Sequence, residues 1–132
     1  MPLVVPDSSE RYHLDYLMDK EDRVYHLYQN DYTPTETSAL ADFTEANFTG
    51  YSAQTVAATA WNNSVTDGSG TTCADAPDIS WTNTGTTSQN IYGYYVTDTA
   101  NTTLLWAERF SNAPRTLNPN DTFTLTPKMC LD

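Results

Sequence analysis

The chain has 132 residues, 17 acidic and only 6 basic, which gives a formal charge of −11 and a pI near 4.2. That length holds one domain with a modest core. The charge sets the chain against nucleic-acid phosphates with no basic stripe to offset the repulsion, so duplex and RNA binding are the first functions to discard. Between Arg23 and Arg109 there is no Lys or Arg at all, although nine acidic residues are scattered over that stretch. The 22 Thr, 10 Asn and 9 Ser suit solvated strand faces and turns. The 16 aromatic residues argue against disorder, because they supply apolar area to bury.

No apolar run approaches the roughly 18 residues that span a bilayer. Met1-Pro-Leu-Val-Val-Pro6 lacks the basic flank and apolar core of an export signal. It forms a short apolar arm, taken as residues 1–8, in which Leu3, Val4 and Val5 are the candidate partner-binding side chains. Asp7 or Ser8 can cap a helix. Leu14, Leu17 and Met18, with Tyr12 or His13 a turn earlier, then place one apolar face on a helix over about 9–19.

Residues 9–132 form the single expected domain. Arg23–Gln29 alternates as a strand, with Tyr25 and Leu27 on one face and Val24, His26 and Tyr28 on the other. Two short strands are expected near Asp42–Phe48 and Ser52–Trp61, with Gly50 between them where a side chain would not fit. The stretch over about 62–78 reads as a variable loop or an irregular hairpin, punctuated by Asp67-Gly68 and Ser69-Gly70. Ile79–Trp81 is a short strand. Asn90–Asp98 and Thr103–Ser111 form an antiparallel hairpin around Thr99–Thr102. Thr122–Thr126 and Lys128–Leu131 end the chain as strands. Seven or eight short strands without alternating helices point to a mainly β fold, an antiparallel β-sandwich or jelly roll with one short N-terminal helix.

The same pattern excludes parallel α/β folds, and no GxGxxG or GxxxxGK occurs. The two histidines, His13 and His26, sit in no nucleophile turn and read as packing or surface residues. Glu108 and Arg109 point to opposite faces of a strand, and each reads as a structural ion-pair partner rather than a catalytic acid. Asp67–Gly70 falls short of a calcium loop. The sequons at Asn47, Asn62, Asn101 and Asn120 are expected by chance in so Asn- and Thr-rich a chain. No enzyme, cofactor or metal site is expected. Cys73 and Cys130 are too isolated for a zinc site and read first as free, partly buried thiols, with a disulfide between central loop and final strand as the alternative. Tyr92, Tyr94 and Trp106 read as core or subunit-interface aromatics, with a sugar-stacking platform as the rival.

Taken in order, Leu3-Val-Val-Pro6 with its helix, Val24-Tyr-His-Leu-Tyr-Gln-Asn30, Tyr32-Thr-Pro34, Leu40–Ala46 and Phe48-Thr-Gly-Tyr51 resemble the small β-rich virion proteins of tailed bacteriophages. Ile91–Asp98, Leu104–Phe110, Asp121 and Leu125-Thr-Pro127 extend the resemblance over nearly the whole chain apart from 62–78. It implies a capsid decoration or cement protein, made in the host cytoplasm and carried on the capsid surface. Its partners would be the major capsid protein or other virion proteins and further copies of itself, with a trimer as one arrangement, and neither nucleic acid nor membrane. A tail-fibre, receptor- or glycan-binding module is the alternative.

Overall fold

A computed structural model describes residues 3–131. The chain order is helix α1 (Asp7–Met18), then strands β1 (Arg23–Tyr28), β2 (Gln54–Val56), β3 (Val65–Thr66), β4 (Thr72–Asp75), β5 (Ile79–Thr82), β6 (Gln89–Ile91), β7 (Gly93–Thr97), β8 (Leu104–Arg109), β9 (Arg115–Leu117), β10 (Thr122–Leu125) and β11 (Lys128–Leu131). The fold is mainly β, with eleven strands in antiparallel sheets and one α-helix among the described residues. The chain divides into two units. One takes residues 1–22, 57–79 and 125–132, and the other takes 23–56 and 80–124.

In the first unit α1 accompanies the three-stranded sheet β11-β4-β3. The helix begins at Asp7, two residues before the expected start, and its N-cap is Pro6 with no capping side chain. Ser9 N and Glu10 N donate to Pro6 O instead, while Asp7 and Glu10 place negative charge in the first turn, where the helix dipole favours it. Only Leu14 and Met18 of the expected apolar face are buried, and Tyr12 and Leu17 face solvent. Ser64 locks helix to hairpin: its N–H donates to Asp15 Oδ1 at 2.7 Å, its hydroxyl donates to Arg11 O, and its carbonyl accepts from Arg11 Nε.

The segment expected as a loop or irregular hairpin is a hairpin, β3–β4, whose turn is tied by Asp67. One oxygen of that carboxylate accepts from Ser69 N, Ser69 Oγ and Thr71 N. These bonds, the Ser69 hydroxyl's foremost, hold its pKa below the ordinary carboxylate value. β4 then pairs with β11 so that Cys73 stands directly opposite Cys130, with Cα atoms 4.1 Å apart and the sulfurs bonded. The free-thiol reading is thereby corrected. Separation by 57 positions along the chain concealed a direct cross-strand pair.

The second unit is built on the sheet β2-β1-β7-β8. β1 and β7 are its middle strands and are buried on both faces. Tyr25, Leu27, Tyr94 and Val96 lie on one side, and His26, Tyr28 and Tyr95 on the other, as the registers Tyr25↔Val96 and His26↔Tyr95 require. Gly93 is dictated by this packing, because a Cβ there would overlap the Glu108 carbonyl oxygen and come within 2.6 Å of Tyr28 Oη. The expected hairpin is present as β7–β8, but the run Asn90–Asp98 is split, with β6 pairing instead with β9. The expected strand over Asp42–Phe48 reduces to a single bridge between Glu45 and Tyr28, and Ser52–Trp61 to the short β2. Gly50 sits at φ +90° with Thr84 Oγ1 2.6 Å from where its Cβ would be.

Threonine supplies rungs across β5–β10, where Thr82 faces Thr122 at 2.8 Å and Ser80 faces Thr124 at 3.0 Å. The opposite face buries Trp81 and Phe123, and the Trp81 indole donates to Ser52 O.

Candidate interaction surface

The arm and helix side chains stand out by exposure. Leu3 is 91% exposed, Val4 75% and Val5 42%. On the helix that follows, Tyr12 and Tyr16 are each about two-thirds exposed, and Leu17 is nearly half exposed. Positions 12 and 16 are one turn apart and share the helix face opposite buried Leu14 and Met18, while Leu17 borders the buried row, about 60° around the helix from Leu14. The Tyr12 ring is braced edge-on by His13 with centroids 5.6 Å apart. Apart from Val65, every exposed large apolar side chain of the described residues falls between Leu3 and Leu17. Sequence reasoning found the arm. It missed the helix face, because Tyr12 and Leu17 satisfy a helical apolar pattern equally well whether or not they are covered.

The candidate aromatics divide. Tyr94 is buried, stacked on Tyr25 at 5.6 Å, and Trp106 meets the same Tyr25 edge-on at 6.3 Å. Burial raises the Tyr94 phenol to a pKa of about 12. The Arg23 guanidinium lies over the Trp106 ring at 5.7 Å. Tyr92 falls in the break between β6 and β7 and packs on the other side of the sheet, near Tyr28, Phe43 and Tyr95, with Arg109 over its ring. Strict alternation would have put Tyr92 beside Tyr94. The interruption that seats Gly93 against Tyr28 separates them.

His26 forms the most connected polar cluster of the second unit. Its Nδ1 lies 2.9 Å from Glu45 Oε1 and its Nε2 lies 2.9 Å from Thr97 Oγ1, while the ring stacks on Tyr95 at 4.6 Å. The Thr97 hydroxyl donates its only proton to Asp98 O, so it accepts from His26 Nε2–H. Glu45 Oε1 also accepts from Tyr51 Oη, which in turn accepts from Leu27 N. The order carboxylate, imidazole, hydroxyl imitates a nucleophilic triad. Thr97, however, is fully buried with its proton committed to backbone, and the cluster ties β1 to β7 and to the Glu45 segment.

Glu108 is exposed and Arg109 pairs with Asp31 at 2.6 Å. No three His, Cys, Asp or Glu side chains of the described residues gather as metal ligands, and no helix among them is long and apolar enough to cross a membrane. No family model, curated protein or solved structure matches the chain.

Proposed function

We propose that the chain is a virion structural protein of the capsid decoration or cement type, a binding protein that stabilises an assembled shell rather than turning over a substrate. The observation that carries the reading is the concentration of exposed apolar side chains in residues 3–17, on a helix that Ser64 and the neighbouring hairpin hold in place. Such a concentration of exposed apolar side chains on a strongly acidic chain suits docking to protein. The finer architecture proposed with it is a sandwich or jelly roll, assembled from the small antiparallel sheets.

The mechanism is thermodynamic. A domain that binds the assembled shell and not its dispersed subunits stabilises assembly by mass action, and many copies multiply a modest individual affinity. The long stretch without basic residues would face solvent outside the shell, away from the packaged genome. The glycan-binding alternative draws less support, because a stacking platform needs adjacent exposed rings, whereas Tyr94 is buried and Tyr92 lies on the other side of the sheet.

Removal of residues 1–6, and separately Tyr12→Asp with Tyr16→Asp, should each lower occupancy on purified particles, read by gel densitometry, with the domain still folded. Wild-type occupancy in both variants would reject residues 3–17 as the docking surface.

A further inference from the structure

Strand β8 is an outer strand of its sheet, paired on one side with β7 from Gly93↔Arg109 to Thr97↔Leu104. Along its other side, the backbone of Leu104–Ala107 takes no partner among the described residues. Edge strands are usually protected by lysine, proline or an inward charge, and Leu104-Leu-Trp-Ala107 has none of these. Beside this edge runs a groove of about 520 Å³, lined by Leu104–Ala107 on one side and by Pro34, Thr35, Glu36 and Ser38 on the other. The second wall is held in shape, since Ser38 Oγ lies 2.6 Å from Tyr32 Oη and accepts from Thr35 N. A register irregularity between Val96 and Thr97 leaves Leu105 without a counterpart on β7, so only a short strand would fit alongside.

A short strand of suitable chemistry is present in the same chain. Leu3-Val4-Val5 is apolar, two-thirds β-branched and exposed, and it leads into Pro6 in the extended region at φ −62°, ψ 151°. The prolines at 2 and 6 have no N–H, which limits its ladder to about 10 Å at roughly 3.3 Å per residue, within the reach of Leu104–Ala107. It is uncharged, so Glu36 on the groove wall does not oppose its entry.

We propose that Leu3–Val5 of one copy adds as a strand to β8 of a second copy, with the side chains of one of its faces in the groove lined by Pro34, Thr35, Glu36 and Ser38. Backbone bonds supply affinity and the groove supplies selectivity for apolar side chains. The contact is heterologous, so it closes into a ring or extends as a chain according to the rotation between copies. It is small and therefore weak between free copies, and it strengthens when neighbours are held side by side. It refines the proposed function by giving the arm to a neighbouring copy and leaving Tyr12, Tyr16 and Leu17 for the shell.

The test uses the purified full chain in sedimentation velocity over a concentration series, without particles, so its outcome is independent of shell binding. The wild type should gain mass with concentration above the 14.7 kDa monomer. Val4→Pro, which removes a ladder donor, and Leu105→Lys, which charges the edge, should each stay monomeric. Thr35→Trp, which fills the groove from an exposed wall position, should act like Leu105→Lys and replaces it if that variant misfolds by circular dichroism. Mixing the arm-defective and edge-defective variants should restore one intact junction and give a one-to-one dimer. A wild type monomeric throughout, or self-association unchanged in Val4→Pro, overturns the exchange. Loss in Leu105→Lys with retention in Val4→Pro also overturns it and assigns β8 to pairing with itself.

Discussion

Replacing Cys73 and Cys130 together by serine tests how the first unit is held. The bridge joins β4 to β11 and closes a loop of 57 positions containing β5 to β10. In the chain-entropy treatment, a loop of that size costs the unfolded state about 14 cal/mol/K, or about 4 kcal/mol at room temperature. Against a total stability of about 5–15 kcal/mol for a domain, that is a large fraction. The assay is equilibrium urea unfolding of oxidised protein, oxidised protein with a phosphine reductant, and the double-serine variant. With a slope of about 2 kcal/mol/M, the midpoint should fall by about 2 M, and equally for reductant and for mutation. Two free thiols in the purified protein under non-reducing mass spectrometry, or a midpoint indifferent to reductant, would refute the bridge and the register that places these residues opposite one another.

Gly93→Ala should destabilise by at least about 1–3 kcal/mol in thermal unfolding, because the methyl group meets both a carbonyl and the Tyr28 ring. Gly68→Ala, with open space around it, should change the midpoint little. Asp15→Ala removes the acceptor for the buried Ser64 N–H and should cost about 1–3 kcal/mol, read as an earlier loss of far-ultraviolet helix signal. Asp98 accepts from Thr102 N, Thr102 Oγ1 and Thr103 N, and these bonds, Thr102 N foremost, lower its pKa as the Ser69 bonds lower that of Asp67. Both contributions to stability are present at neutral pH and disappear as the pH falls through the lowered folded-state values. Carbon-detected NMR titration should place both carboxyls below the ordinary aspartate value, and an ordinary value at either would contradict the turn geometry.

Much of the second unit was legible because burial on two faces leaves a readable pattern. Arg23–Tyr28 alternates as read, and the Tyr-rich run before Asp98 is indeed a covered middle strand. The split at Tyr92 was not legible, because it depends on Tyr28, distant in sequence, lying across Gly93. Glu45 reads locally like part of a strand, yet its position is set by His26 and Tyr51. The Cys73–Cys130 pair becomes visible only once β4 and β11 are neighbours, and neither strand announces the other. In the surface region, the apolar arm was evident from composition. The outward face of α1 was not, since the periodicity that finds a helix does not say which of two adjacent apolar rows is covered.

In the proposed function Tyr12, Tyr16 and Leu17 dock on an assembled shell, Leu3–Val5 reaches a neighbouring copy, and the acidic body faces outward. Cryo-electron microscopy of intact particles tests it directly through position and copy number. The prediction is many symmetry-related copies on the outer capsid surface, with Tyr12, Tyr16 and Leu17 against shell protein. A handful of copies confined to the tail, or a shell-bound domain with those side chains turned to solvent, would contradict it.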